Sequence, residues 1–255
     1  MRRIRLDLQY DGTCYSGWQV QVKETTIQGL LEDAVFTVTG RRERVTGASR
    51  TDAGVHALQQ VAVFITSSAL EPAILMRALN ANLPRDVRVT AAEECPAEFH
   101  PRYHAANKTY SYLVSPAGAF PVFLKRYSWQ VHYSLDCDAM REAAAHLTGK
   151  KDFSSFRASG CNSRSPVREI FQISVSESDS IDFAGITLDA PLIKISIKAN
   201  AFLRHMARII AGTLVDAGRG RIPPGRVKDI IEARDRRAAG RTAPACGLFL
   251  EKIRY

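Results

Sequence analysis

Residues 47–57 read GASRTDAGVHA and form a loop between two segments whose apolar residues predict β-strands. Within this loop, Gly47 and Gly54 bracket Arg50 and Asp52. Glycine allows backbone angles and close backbone approaches that other residues resist. A lone aspartate in a glycine-flanked loop is usually a turn residue, so the loop taken alone favours a structural role. The sequence around it decides whether Asp52 also has a chemical role.

Strand and helix patterns alternate on both sides of this loop. The predicted strands are Arg3–Gln9, Glu43–Thr46, Gln59–Ile65, Val87–Glu94, Tyr110–Val114, Arg126–Val131, Glu169–Glu177, Leu192–Lys198 and Leu248–Ile253. The predicted helices are Thr26–Val38, Pro72–Leu83, Asp136–Leu147, Ala201–Leu214 and Pro223–Ala233. Because strands and helices are interspersed, the fold class is α/β or α+β with a mixed sheet. The second half repeats the rhythm of the first, which predicts two half-domains that meet near residue 105.

The chain carries an excess of basic residues. Its 255 residues include 35 Lys and Arg against 26 Asp and Glu, a net charge of +9. Ten Lys and Arg but only four Asp and Glu lie between Arg204 and Arg241, and Arg41, Arg42 and Arg44 form a second cluster. Such a surface is either inert or binds an anionic partner, most often nucleic acid. Arginine suits forked phosphate contacts and base stacking, but composition alone leaves both interpretations open.

Several classes of protein are not indicated. No stretch is long and apolar enough to span a membrane, and the N-terminal residues read as a strand and not as a signal peptide. The five cysteines are odd in number and lack a CxxC motif, which favours reduced thiols in a cytosol. The histidines and cysteines match no zinc spacing. We therefore expect a cytoplasmic protein with no membrane segment and no metal.

Five ordered motifs give the chain a resemblance to a known family. They are YDGTCYSGWQVQ (10–21), RTDAGVHA (50–57), KTYSYLV (108–114), IKANAFLRHMARIIAG (197–212) and GLFLEKI (247–253). With these motifs the chain resembles the TruA family of tRNA pseudouridine synthases from about residue 3 to residue 253. One departure is Ser49, where the family more often has Gly.

The resemblance implies an α+β pseudouridine synthase fold with two RRM-like or ferredoxin-like halves. These halves share a mostly antiparallel sheet, and the active-site cleft lies between them. The first half, residues 1–104, would carry the catalytic Asp loop. The second half, residues 105–255, would carry the Tyr and Arg motifs.

The implied reaction isomerises uridine to pseudouridine in the tRNA anticodon stem-loop, at positions 38, 39 and 40. The bond from the sugar to N1 of uracil breaks, the ring turns, and it rejoins the sugar through C5. No atom is gained or lost, so no cofactor is expected. The resemblance makes Asp52 the catalytic carboxylate, as a nucleophile or as a base. Attack on C1′, attack on C6 and a glycal route all stay open. The family also implies a homodimer that binds tRNA.

The resemblance assigns two further catalytic residues. Arg208 would supply the counter-charge that keeps a carboxylate ionised in a water-poor pocket. Without the motif, Arg208 reads as an exposed arginine on a mostly apolar helix. Tyr110 would stack on the target uracil, whereas Tyr112 would belong to the core. Without the motif, both tyrosines read as strand core.

The remaining predicted site residues would bind the substrate. Arg50 would fill the gap left by the flipped base or contact a phosphate. The segment FRASGCNSRSPVREI predicts an RNA-contacting loop, or simply a solvated one. Leu248 would be a wall of the uracil pocket or ordinary strand core. The loop residues that we predict to contact RNA are Phe156, Arg157, Arg164 and Arg168.

Two other functions compete with this one. A non-catalytic RNA-binding module with RRM-like halves would explain the charge and the strand and helix rhythm. It would not explain RTDAGVHA, and the sequence lacks the interleaved aromatics of an RNP motif. A hydrolase with an aspartate nucleophile usually needs a metal and further carboxylates, whereas the loop contains Asp52 alone.

Overall fold

The computed structural model describes residues 1–118, 121–183 and 185–255, and the chain forms two compact units. The first unit contains Met1–Ala106 and Phe249–Tyr255, and the second contains Asn107–Leu248. Almost all of the last strand therefore packs with the first unit, although it follows the second unit in sequence.

The strands are numbered in chain order: β1 Arg2–Tyr10, β2 Thr46–Gly47, β3 His56–Thr66, β4 Val87–Cys95, β5 Asn107–Ser115, β6 Trp129–Gln130, β7 Gly149–Asp152, β8 Val167–Phe183, β9 Ile186–Ala199 and β10 Leu248–Arg254. The helices are α1 Ile27–Thr39, α2 Pro72–Asn82, α3 Cys137–Ala145, α4 Met206–Gly218 and α5 Arg226–Ala233. Within the described residues, no helix combines the length and the apolar character needed to cross a membrane.

In the first unit, two helices alternate with strands in a β-α-β-β-α-β order. β1 pairs antiparallel with both β3 and β4, and β3 also pairs antiparallel with β2. The resulting order, β4-β1-β3-β2, is that of a ferredoxin-like sheet. β10 adds to β3 in parallel, with Phe249 opposite His56. Ile4, Leu6 and Leu8 of β1 are fully buried, as their alternation predicts.

The main strands of the second unit are antiparallel. β5, β9, β8 and β7 lie side by side in that order, and every pairing among them is antiparallel. α3 begins after Asp136, whose Oδ1 accepts hydrogen bonds from the amides of Asp138 and Ala139 at 2.9 and 3.0 Å. α4 is the central helix of the unit, and twelve of its thirteen residues are buried. The predicted α+β class with mostly antiparallel strands is thus confirmed.

Individual elements differ from their predicted bounds. The helix predicted from Ala201 begins at Met206, because His205 adopts a left-handed backbone, φ 60° and ψ 4°, directly before it. The strand predicted over Glu43–Thr46 is the two-residue β2, and the strand predicted over Arg126–Val131 is the two-residue β6. β7 was not predicted, because its sequence GKKD lacks alternating apolar residues.

Candidate active site

The opening motif of the chain holds the loop that contains Asp52. The amide of Trp18 donates to the carbonyl of Thr51 at 3.0 Å, and the amide of Gly54 donates to the carbonyl of Tyr15 at 3.2 Å. Gly47, at the start of the loop, lies against the Trp18 ring, since a Cβ on Gly47 would be 2.4 Å from it. The motifs YDGTCYSGWQVQ and RTDAGVHA, which are separate in the sequence, therefore form one structure.

Buried polar side chains hold the loop that contains Asp52 in place through hydrogen bonds. The hydroxyls of Tyr10 and Thr51 are hydrogen-bonded at 2.8 Å. Gln60 binds both backbone groups of Ser49: its Oε1 accepts from the amide at 3.1 Å, and its Nε2 donates to the carbonyl at 2.8 Å. Burial raises the pKa of Tyr10 to about 12, although hydrogen bonds from Thr51 and Gln60 oppose the shift. The Tyr10 hydroxyl therefore stays protonated at neutral pH.

The backbone at Ser49 does not require glycine. Among the described residues, the non-glycine residues with positive φ are Lys23, His205 and Arg234. The departure from the family's more common Gly at this position is therefore accommodated without strain in the loop.

The side chains that precede and follow Thr51 remain accessible. Thr51 is 6% exposed, whereas Asp52 is half-buried and Arg50 is exposed. The carbonyl of Asp52 accepts a hydrogen bond from the amide of Val55 at 3.2 Å, which closes the turn. The structure thus places a carboxylate and a guanidinium at the surface of a loop whose backbone is held in the core. Such an arrangement can present both groups to a nucleotide without a change in the loop.

In the second unit, the two tyrosines of KTYSYLV have different surroundings. Tyr110 is 6% exposed, and its ring meets the half-buried ring of Phe202 edge to face at 4.8 Å. Tyr112 is fully buried, and its hydroxyl donates to the carbonyl of Pro244 at 2.8 Å. Tyr112 is therefore a core residue, as predicted. Phe202 is only partly exposed and lies at the edge of the core.

Arg208 differs from every other residue of α4, because it alone is not buried. Its Nε donates to the carbonyl of Ala243 at 2.8 Å, and the amide of Ala243 donates back to the carbonyl of Arg208 at 3.1 Å. The side chain is half-buried. An exposed arginine on a helix surface is thus the wrong description of Arg208, since the helix is enclosed and the guanidinium is held to the neighbouring segment.

The predicted RNA-contacting loop includes both accessible and buried residues. Arg164 is exposed, and Arg157 and Arg168 are half-buried. Arg157 Nη2 donates to the carbonyl of Ser163 at 3.1 Å, and Arg168 Nη2 donates to the hydroxyl of the same serine at 2.6 Å. These two arginines therefore stabilise the conformation of the loop and also supply positive charge to it.

Phe156 and Leu248 lie in the core of the second unit. Phe156 is fully buried, and its ring meets that of Phe153 at 6.0 Å. Its burial argues against direct contact with RNA, because the side chain anchors the start of the loop. Leu248 is 5% exposed.

Other residues of the site were missed by sequence reasoning. Tyr10, Thr51 and Gln60 are separated by up to fifty positions in the sequence. The sequence indicates their association only weakly, through polar residues that stand within otherwise apolar strands. Within the described residues, no group of three or more His, Cys, Asp or Glu is placed to hold a metal ion.

Comparisons with known proteins agree with the motifs. The family described as tRNA pseudouridine synthase matches residues 8–104 and 143–255. The chain is similar over its full length, and over theirs, to three proteins called tRNA pseudouridine synthase A. They come from Pelobacter propionicus (42% identical), Caldicellulosiruptor bescii (41%) and Acetivibrio thermocellus (40%).

Proposed function

This chain belongs to the tRNA pseudouridine synthase family, whose members are isomerases, and we propose that it converts uridine to pseudouridine in the anticodon stem-loop with Asp52 as the catalytic nucleophile or base. The proposed targets are uridines 38, 39 and 40 of tRNA.

The accessibility of Asp52 on a fixed loop is the observation that supports this role most directly. The reaction needs a carboxylate close to the sugar and the base of one nucleotide. The Tyr10–Thr51 hydrogen bond at 2.8 Å and the Trp18–Thr51 backbone bond at 3.0 Å fix the residue next to Asp52. A carboxylate held in this way loses little conformational freedom when the nucleotide binds, which favours catalysis.

We assign three further residues to the reaction. Arg208 would supply the positive charge that favours the ionised carboxylate. Tyr110 would stack on the uracil ring, and its nearly buried position beside Phe202 suits a ring that packs against a base. Arg50 would occupy the space left by the flipped nucleotide or contact its phosphate.

The substrate would also contact the loop that follows Phe156. Arg157, Arg164 and Arg168 supply its positive charges, whereas buried Phe156 would act only as the loop's anchor. Leu248 would form an apolar wall beside the uracil. In this proposal the Asp loop belongs to residues 1–104, and the Tyr and Arg motifs belong to residues 105–255. The protein would act in the cytoplasm as a homodimer and without a cofactor.

Tritium release from tRNA labelled at C5 of uracil tests the proposal. Isomerisation replaces the bond from C5 to hydrogen with a bond to the sugar, so the label must leave. We expect release without added metal or nucleotide, and pseudouridine mapping of the product should place the modification at positions 38, 39 or 40. Release that maps to another arm of the tRNA would contradict the proposed target. If no label is released although tRNA binds, the protein is a binding module.

A further inference from the structure

We propose that a basic cleft within the second unit binds a backbone phosphate of the RNA strand next to the target nucleotide. The cleft has a volume of about 660 Å³ and is lined by the loop 157–161, by Arg204 and His205, and by Arg236 and Thr242. This inference rests on the proposed function for the identity of the RNA. It assigns Arg204 and Arg236 to substrate binding, a role that the sequence motifs do not give to either residue.

The three arginines of the cleft lack acidic partners. Within the described ranges, none of Arg157, Arg204 and Arg236 forms an ion pair with a carboxylate. The nearby Asp235 pairs instead with Arg237 at 2.8 Å. Three positive charges therefore face one concave surface without a counter-ion, and phosphate is one of the two anions, with carboxylate, whose geometry matches the guanidinium fork.

Neutral acceptors hold the three guanidinium groups in place. Arg204 Nη1 donates to the carbonyl of Ser159 at 3.1 Å. Arg236 Nη1 donates to the carbonyl of Gly240 at 2.9 Å, and its Nη2 donates to Thr242 Oγ1 at 3.0 Å. Each guanidinium has five N–H donors, so these bonds orient the group and leave donors for a ligand. Partial burial lowers the pKa of Arg236.

The backbone around the cleft is adapted to Arg204 and to a negative charge. Gly160 has φ +69°, and a Cβ at this position would lie 2.8 Å from Nη1 of Arg204. His205 has the left-handed backbone that precedes α4, and it also lines the cleft. The N-terminal end of α4, which carries a partial positive charge, is therefore at the cleft wall.

The position of the cleft relates it to the target nucleotide. Phe202 packs against Tyr110, the ring proposed to stack on the uracil, and Arg204 is two residues further along the chain. Two residues of extended chain span at most about 7 Å. The backbone of Arg204 is therefore close to that of Phe202, which suits a cleft that binds a phosphate of the same RNA strand as the target nucleotide.

The test compares Arg204→Gln with Arg204→Lys and with the control Arg226→Gln. Arg226 is exposed and paired with Asp229 at 3.2 Å, so its loss changes the net charge equally without touching the cleft. The dissociation constant of an unmodified tRNA transcript is measured across a potassium chloride titration. We expect Arg204→Gln to weaken binding about fivefold and to reduce the slope of log Kd against log salt by about one. Arg204→Lys should keep the slope, and the control should keep both values.

Two outcomes would overturn the inference. In the first, Arg204→Gln has the same affinity and slope as Arg226→Gln. In the second, calorimetry shows that inorganic phosphate binds the wild-type protein and not Arg204→Gln, while the tRNA affinity of the two is equal. The cleft would then be a site for free phosphate only. This test measures tRNA binding and not catalysis. If the wild-type protein fails to release tritium, the proposed function is contradicted, but the binding test of the cleft can still be made.

Discussion

Asp52 is half-buried, while the residue before it is fixed in the core by its hydroxyl and its carbonyl. A substitution at Asp52 should therefore change chemistry and not folding. We predict that Asp52→Asn and Asp52→Ala abolish tritium release, whereas the affinity for tRNA, which depends mainly on phosphate contacts, stays within about twofold. The exposed Asp179 gives a matched control, because Asp179→Asn removes a similar charge elsewhere. Near-normal turnover in either Asp52 variant would remove Asp52 from the mechanism.

Arg208 combines a proposed catalytic role with a structural one. Its bond to the Ala243 carbonyl, at 2.8 Å, has a charged donor and contributes about 1.5–3 kcal/mol, so Arg208→Ala should lower stability by a similar amount. We predict that Arg208→Ala also loses most activity per folded molecule. Arg208→Lys, which keeps the charge and loses the fork, should be intermediate or worse.

The pH profile separates the two roles of Arg208. If this cation acts on the catalytic carboxylate, its removal should change the pH profile of kcat/KM in a variant with residual activity. A variant that unfolds at a lower temperature but keeps the wild-type profile would show that Arg208 acts only in the fold.

At the level of secondary-structure elements, Gly47 allows the motif at residues 10–21 to pack against the loop that contains Asp52. A methyl group there would lie 2.4 Å from the Trp18 ring, and Trp18 is only 2% exposed. We predict that Gly47→Ala lowers the free energy of unfolding by about 1–3 kcal/mol and lowers kcat through displacement of the loop. Thermal unfolding and tritium release measure the two effects.

Gly225→Ala is the control for this prediction. Gly225 has φ −59° and ψ −25°, and a Cβ there would meet no atom within 4 Å. The substitution should be neutral, or stabilising by about 0.4–1 kcal/mol, with unchanged activity. Wild-type stability and turnover in Gly47→Ala would show that the Trp18 contact does not position the loop.

Periodicity predicted the elements well where tertiary contacts agree with it. β1 and α1 follow their apolar patterns closely, and α1 begins after Thr26, whose side chain accepts from the amide of Gly29 at 3.2 Å. The pattern failed at residues 201–205, which continue the apolar period of α4 but are not helical. Here the bond from Arg204 to Ser159 and the backbone of His205 outweigh local propensity.

The candidate site was predictable only in part, for a similar reason. Asp52, Arg208 and Tyr110 stand in contiguous motifs that can be read directly. Tyr10 and Gln60, which hold the loop that contains Asp52, come together only when β1 and β3 pair, and a single sequence does not contain that information. Phe156 was predicted to contact RNA because it stands beside arginines, and only the packed structure shows that it is buried.

For the whole molecule, we predict that activity does not depend on a metal. The sequence has no metal-ligand spacing, and the described part of the chain brings no three His, Cys, Asp or Glu side chains together at a metal site. The enzyme should be treated with EDTA and dialysed before tRNA is added, so that magnesium bound by the tRNA itself is preserved. Turnover lost on this treatment and restored by one added metal would contradict the prediction.

The distribution of charge over the molecule leads to the last prediction. In the first unit's sheet, Arg5 pairs with Glu93 at 2.9 Å, whereas the three arginines that line the cleft in the second unit lack carboxylate partners in the described ranges. The first unit has 14 Lys and Arg against 13 Asp and Glu, and the second has 21 against 13, so most of the net charge of +9 belongs to the unit that contains the cleft. Each phosphate neutralised by Lys or Arg contributes about 0.7–0.9 to the slope of log Kd against log salt.

We expect a slope steeper than about three for wild-type protein and tRNA, which corresponds to about four or more phosphate contacts. Asp52→Asn should give the same slope, because Asp52 is proposed to act on the base and the sugar and not on phosphates. Filter binding between 50 and 200 mM potassium chloride, at fixed magnesium, measures both values. A dissociation constant that barely changes over this range would mean that the positively charged residues do not bind RNA phosphates. Recognition would then depend on uncharged contacts around the loop that contains Asp52.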